Sequence, residues 1–192
     1  AELYAELRRA MGVKEQVATN TEKLYNEAMP EQANGKPVVY LDMDGVLADF
    51  FGGVEKLYGV SHWKQLASDK TKDLKQDVID RITGTNFFET LPKFKTSDSL
   101  ISMVKNFTGG RFSILTSPLR GDHDNSARWK KVWINQNIEQ PDETIVTGRK
   151  EKYATTKGMP NILVDDRPVN IQKWQDKGGY GILYQANKDP LS

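Results

Sequence analysis

Asp42 and Asp44 stand two residues apart at the end of an apolar run, VVYLDMDGVLADF. Val38, Val39, Tyr40 and Leu41 read as a buried strand, because β-branched and bulky apolar residues follow one another without a break. Gly45 lets the backbone leave that strand tightly. Two carboxylates at the carboxyl end of a buried parallel strand lie where open α/β sheets bind their ligands. Taken alone, Asp-x-Asp-Gly also fits a solvated turn. Three further strand ends favour chemistry: Thr116 and Ser117 in ILTSP, the basic loop Gly148-Arg149-Lys150-Glu151-Lys152, and Asp165 with Asp166 in ILVDDRP.

In one doubly wound sheet these ends converge on a single crevice, with four carboxylates, two hydroxyls and at least one ammonium. Carboxylates packed together repel, so the group needs a cation. The donors are hard oxygens. The chain has no cysteine, and neither His62 nor His123 falls at a strand end. That donor set selects Mg²⁺ over Zn²⁺. Oxygen-held Mg²⁺ beside a lysine and hydroxyls suits a phosphate group. No Gly-x-x-x-x-Gly-Lys-Ser/Thr loop occurs, so nothing indicates use of a nucleoside triphosphate. The chemistry implied is phosphoryl transfer through an aspartate, with water as final acceptor.

Strands and helices must alternate to position these groups, and they do. Residues 1–29 carry helical spacing at Leu3, Leu7, Ala10 and Met11, and again at Leu24 and Ala28. Pro30 and Asn34-Gly35-Lys36-Pro37 break that pattern. After the first strand, residues 51–95 hold helical signals without a strong strand, including the apolar face Leu74, Val78, Ile79 and Ile82. Strands are then expected at Arg111–Thr116, Thr144–Thr147, Asn161–Val164 and Tyr180–Tyr184. Helices are expected around Leu100–Phe107, over 124–138 and from Pro168 through Trp174. The fold expected is α/β: a Rossmann-like parallel sheet with helices on both faces. Its parts are an N-terminal helical segment (1–36), a core (37–51 and 96–192) and a small helical cap (52–95) inserted after the first strand.

Composition agrees with this and narrows the partners. At 192 residues, 38% hydrophobic and 28% charged, the chain suits one domain with one core. A net charge of +1 makes no general electrostatic case for nucleic acid or membrane. No apolar stretch approaches the roughly 20 residues that span a bilayer. The absence of cysteine fits a reducing compartment, so a cytoplasmic protein is expected. The N-terminal helices offer a candidate surface for self-association.

The order DMDGVLAD, ILTSP, lysine loop, ILVDDRP resembles the haloacid dehalogenase superfamily of phosphatases. More narrowly it is similar to the 5′(3′)-deoxyribonucleotidase branch, over about Val38 to Tyr184. Thr-Ser-Pro after the second strand points to that branch. So do Phe87-Phe88 with Leu91-Pro92, and Lys130 with Trp133. The resemblance implies an Mg²⁺-dependent phosphomonoesterase acting on nucleoside monophosphates. Asp42 is then the nucleophile that forms a phospho-aspartate. Asp44 is the general acid and base. Thr116 bonds the phosphoryl oxygens, and Ser117 touches phosphate or sugar. Asp165 and Asp166 then hold the metal, one or both directly, with Asp42 and the carbonyl of Asp44 completing its protein ligands.

The lysine that neutralises phosphate is Lys152 or Lys150. Lys152 is favoured, because a lysine followed by a hydrophobic residue and then a helix is most similar to the family's pattern. Phe50, Phe87 and Phe88 are candidates to line the base pocket, and Lys130 to meet phosphate. The alternatives are a phosphatase of a sugar phosphate or a nucleic-acid 3′-phosphate end, and a relative that binds phosphate without turnover. The intact Asp42, Asp44, Thr116 and Asp165-Asp166 weigh against the last.

Overall fold

The computed structural model describes residues 3–12, 36–62, 65–66 and 73–191. The expected helical pair Leu24 and Ala28 lies outside the described residues. Five parallel strands form one sheet: β1 (Val39–Leu41), β2 (Ser113–Thr116), β3 (Thr144–Val146), β6 (Ile162–Asp165) and β7 (Tyr180–Leu183). Their spatial order is β3-β2-β1-β6-β7. A short antiparallel ribbon of β4 (Thr155–Thr156) and β5 (Met159–Pro160) stands apart from it. Six helices are described: α1 (Leu3–Ala10), α2 (Phe50–Tyr58), α3 (Leu74–Ile82), α4 (Ser97–Thr108), α5 (His123–Asn137) and α6 (Pro168–Asp176).

Strand periodicity divides the core in two. Val39, Leu41, Ile114, Ile162 and Val164 point into one hydrophobic layer. Tyr40, Leu115 and Leu163, the residues between them, point into the other. Central parallel strands are covered on both sides, which is why they read as unbroken apolar runs. The covering is unequal. Residues of α1 to α5 fill the first layer, whereas Ile171 and Trp174 of α6 anchor the second. On α1, the predicted spacing places Leu3 and Leu7 fully in the core. Tyr180 donates to Glu6 Oε2 at 3.0 Å, and the Tyr4 amide donates to the Leu191 carbonyl at 3.1 Å. The apolar face of α1 is thereby satisfied within the chain.

The segment after β1 begins at Asp49, whose carboxylate caps α2 by accepting from the Gly52 amide at 2.9 Å. Its other end is tied to the core. Trp133 Nε1 of α5 donates to the Leu91 carbonyl at 2.8 Å, and Asp122 accepts from the Gly84 amide at 3.0 Å. No described helix is long and apolar enough to cross a membrane.

Candidate active site

Register brings the strand ends together. Leu41 pairs with Ile114 on one side and with Val164 on the other. Asp42 therefore continues beside Asp165, and Thr116 ends the neighbouring strand. The sheet order reverses about β1, which is the switch point where ligands of such sheets bind.

Asp42 and Asp165 are both buried and share one cation. Lys150 Nζ lies 2.8 Å from Asp42 Oδ1 and 2.7 Å from Asp165 Oδ2. Burial alone would lower the Lys150 pKa, but the charges of Asp42 and Asp165 outweigh it and hold the pKa above its ordinary value. This corrects the expectation for Lys152, whose side chain is exposed. The helical turn after β3 is a single 3₁₀ turn, Lys150–Tyr153. Its roughly three residues per turn send residues two apart to different sides, so Lys150 enters the site and Lys152 leaves it.

A second lysine completes the far side. Lys130 on α5 is almost wholly buried. Its Nζ meets Asp44 Oδ2 at 2.6 Å, Thr116 Oγ1 at 3.1 Å and the Ser117 carbonyl at 2.7 Å. The same ammonium lies 4.6 Å from the centre of the Phe88 ring. Asp44 Oδ1, by contrast, is shut from water with no partner among the described residues. Burial raises the Asp44 pKa, with Lys130 opposing and Asp42 assisting.

The ILVDDRP pair divides its duties. Asp165 accepts from Lys150, from the Arg167 amide at 2.9 Å and from Asn170 Nδ2 at 3.2 and 3.0 Å. Burial raises its pKa, helped by Asp42 and opposed by Lys150. Among the described residues, Asp166 accepts no hydrogen bond. Burial, then the charges of Asp42, Asp165 and Asp44, push its pKa to about 7. Asn170 was not foreseen. Its signal was its place one turn into the helix that Pro168 starts, where it can reach back to the strand end.

Oxygens of Asp42, Asp165 and Asp166 lie within 4.8 Å of one another. Three convergent carboxylates with one unbonded member fit a hard divalent cation such as Mg²⁺. Gly45 makes room for this. Its φ is +79°, and a Cβ there would come 2.1 Å from Asp166 Oδ2.

The aromatic expectations divide as well. Phe87 and Phe88 are 5% and 3% exposed and pack edge-on with centroids 5.5 Å apart. Both belong to the core, so neither offers a free face to a base. Phe50 packs on Phe87 at 5.6 Å and is only half-buried. With Phe51 it lines a cleft that continues to Pro118, Leu119, Arg120 and Arg167. Ser117 is half-buried beside the Lys130 contact.

The sequence matches no family model and no curated protein. Solved structures do match. A crystal structure of a dehalogenase aligns with a TM-score of 0.52 at 11% identity, over 82% of this chain and 88% of that one. The shared feature is the fold. A HAD family enzyme from Bacteroides thetaiotaomicron aligns over 80% of this chain and 95% of its own, at 12% identity and a TM-score of 0.43. The Rossmann-like architecture is the one shared with the dehalogenase.

Proposed function

We propose that the protein is a Mg²⁺-dependent phosphomonoesterase that hydrolyses nucleoside monophosphates through a phosphorylated Asp42. The observation that carries this reading is the Asp42–Lys150–Asp165 cluster beside Asp44, with two carboxylates of unlike surroundings on one strand end. Environments that hold two acids apart assign them different roles.

Asp42 Oδ attacks phosphorus, and the bond from phosphorus to the ester oxygen breaks. Lys150 fixes the Asp42 carboxylate for that attack. Asp44, whose Oδ2 accepts from Lys130, delivers a proton to the departing alcohol. Lys130 then stabilises the carboxylate that remains. In the second half, Asp44 takes a proton from water. The resulting hydroxide attacks phosphorus, and phosphate departs with Asp42 restored. The Thr116 hydroxyl, itself accepting from Lys130, is placed to donate to a phosphoryl oxygen. Asp42 and Asp166, with the carbonyl of Asp44, would hold Mg²⁺. The metal supplies charge to offset the phosphate and the carboxylates. Asp165 is committed to Lys150 and Asn170 and positions rather than ligates.

The nucleotide part rests on the resemblance of ILTSP and the lysine helix, and on Phe50 at the edge of the cleft. The test is phosphate release from deoxy- and ribonucleoside 5′- and 3′-monophosphates and from sugar phosphates, with Mg²⁺ and with EDTA. Mg²⁺-dependent release that favours nucleotides is expected. Release from sugar phosphates alone would replace the substrate.

A further inference from the structure

The cleft beside the site carries more positive charge than one phosphate uses. Arg120 and Arg167 both line it, one from the loop after β2 and the other from the loop after β6. Both side chains are exposed, and neither joins an ion pair among the described residues. Lys75 of α3 lines the cleft as well. Among the described residues the one lining carboxylate is Asp73, which caps α3 by accepting from the Gln76 amide at 3.2 Å. Between these charges the walls are apolar and aromatic, with Phe50, Phe51 and Leu119. Low-polarity walls strengthen the field of the charges they flank. A guanidinium fork matches phosphate oxygens in pairs.

We infer that this cleft takes a second phosphate of the substrate. The preferred substrate is then a nucleotide bearing one phosphomonoester and one further phosphate. The scissile group sits at Asp42, the base lies along Phe50, and Arg120 with Arg167 hold the second group. A nucleoside bisphosphate and the phosphorylated end of an oligonucleotide share this chemistry. The inference rests on the phosphomonoesterase reading and sharpens its substrate.

The test compares kcat/KM for four esters: a deoxynucleoside 5′-monophosphate, its 3′,5′-bisphosphate, a dinucleotide with a terminal phosphate, and p-nitrophenyl phosphate. Wild type, Arg120→Ala, Arg167→Ala, the double variant and a Lys173→Ala control are measured. The bisphosphate or the dinucleotide should exceed the monophosphate by about tenfold or more, the usual worth of a charge-assisted contact. The double variant should bring them level, with p-nitrophenyl phosphate unchanged. Preference for the dinucleotide marks a polynucleotide end, and preference for the bisphosphate alone marks a free nucleotide. Equal rates for the monophosphate, the bisphosphate and the dinucleotide in wild type would overturn the inference. So would variants that slow both alike, since that is general steering of anions. If even p-nitrophenyl phosphate is not hydrolysed, the phosphomonoesterase reading fails. Calorimetry with the bisphosphate and the monophosphate in Mg²⁺ then decides the cleft: tighter bisphosphate binding keeps it, and equal binding removes it.

Discussion

Lys150 and Lys152 differ by two positions and by their whole environment. Lys150 neutralises two buried carboxylates, and removing one partner of such a set strands the other charges. Lys150→Met should therefore cost about 3–5 kcal/mol in denaturant unfolding. Lys152→Met should fall within about 0.5 kcal/mol of wild type, as exposed substitutions usually do. Equal losses would mean that the 3₁₀ turn does not orient the two as described. The family-like pattern favoured Lys152, but the choice depends on helical phase over one short turn, which that pattern does not carry. Lys130 posed the same difficulty across a longer gap. Eighty-six positions separate it from Asp44, so its approach at 2.6 Å needs the packing of α5 against the sheet.

At the level of elements, what could be read was what is contiguous. The strand ends announced themselves because β-branched runs stop at polar residues, and parallel register does the rest. The aromatic pair Phe87-Phe88 misled because a short 3₁₀ turn, Phe87–Thr90, wedges both rings into the core. The β1–α2 loop gives the sharper test. Gly45 there is in the left-handed region and against Asp166. Gly45→Ala strains the backbone and collides with the carboxylate. Mg²⁺ affinity measured by calorimetry should fall at least about tenfold, as for loss of a residue that orients a ligand. Unchanged affinity would remove Asp166 as a metal ligand.

Across the whole molecule, the site concentrates unfavourable charge that the fold must carry. Asp44, Asp165 and Asp166 all have raised pKa values, Asp166 to about 7 from an ordinary 3.8. A carboxyl raised on folding binds more protons in the folded state than in the unfolded one. Its contribution to stability is full below the unfolded pKa and is lost as pH rises through the folded pKa. In EDTA, stability to denaturant should consequently fall between about pH 4 and pH 7. Saturating Mg²⁺ should flatten that decline, because the cation binds the folded, deprotonated cluster. A decline equal with and without Mg²⁺ would separate the carboxylates from any metal. The stability of the fold and the chemistry of the site would then no longer share one cause.

The central claim is that Asp42 becomes phosphorylated during turnover. The direct measurement is to quench the enzyme with acid while it turns over a nucleotide in Mg²⁺, and to map the phosphoryl group by peptide mass spectrometry. The account predicts a hydroxylamine-labile phosphate on the peptide that carries Asp42, and none in Asp42→Asn. Steady turnover with no phosphorylated Asp42 at any quench time, together with retained turnover in Asp42→Asn, would contradict it.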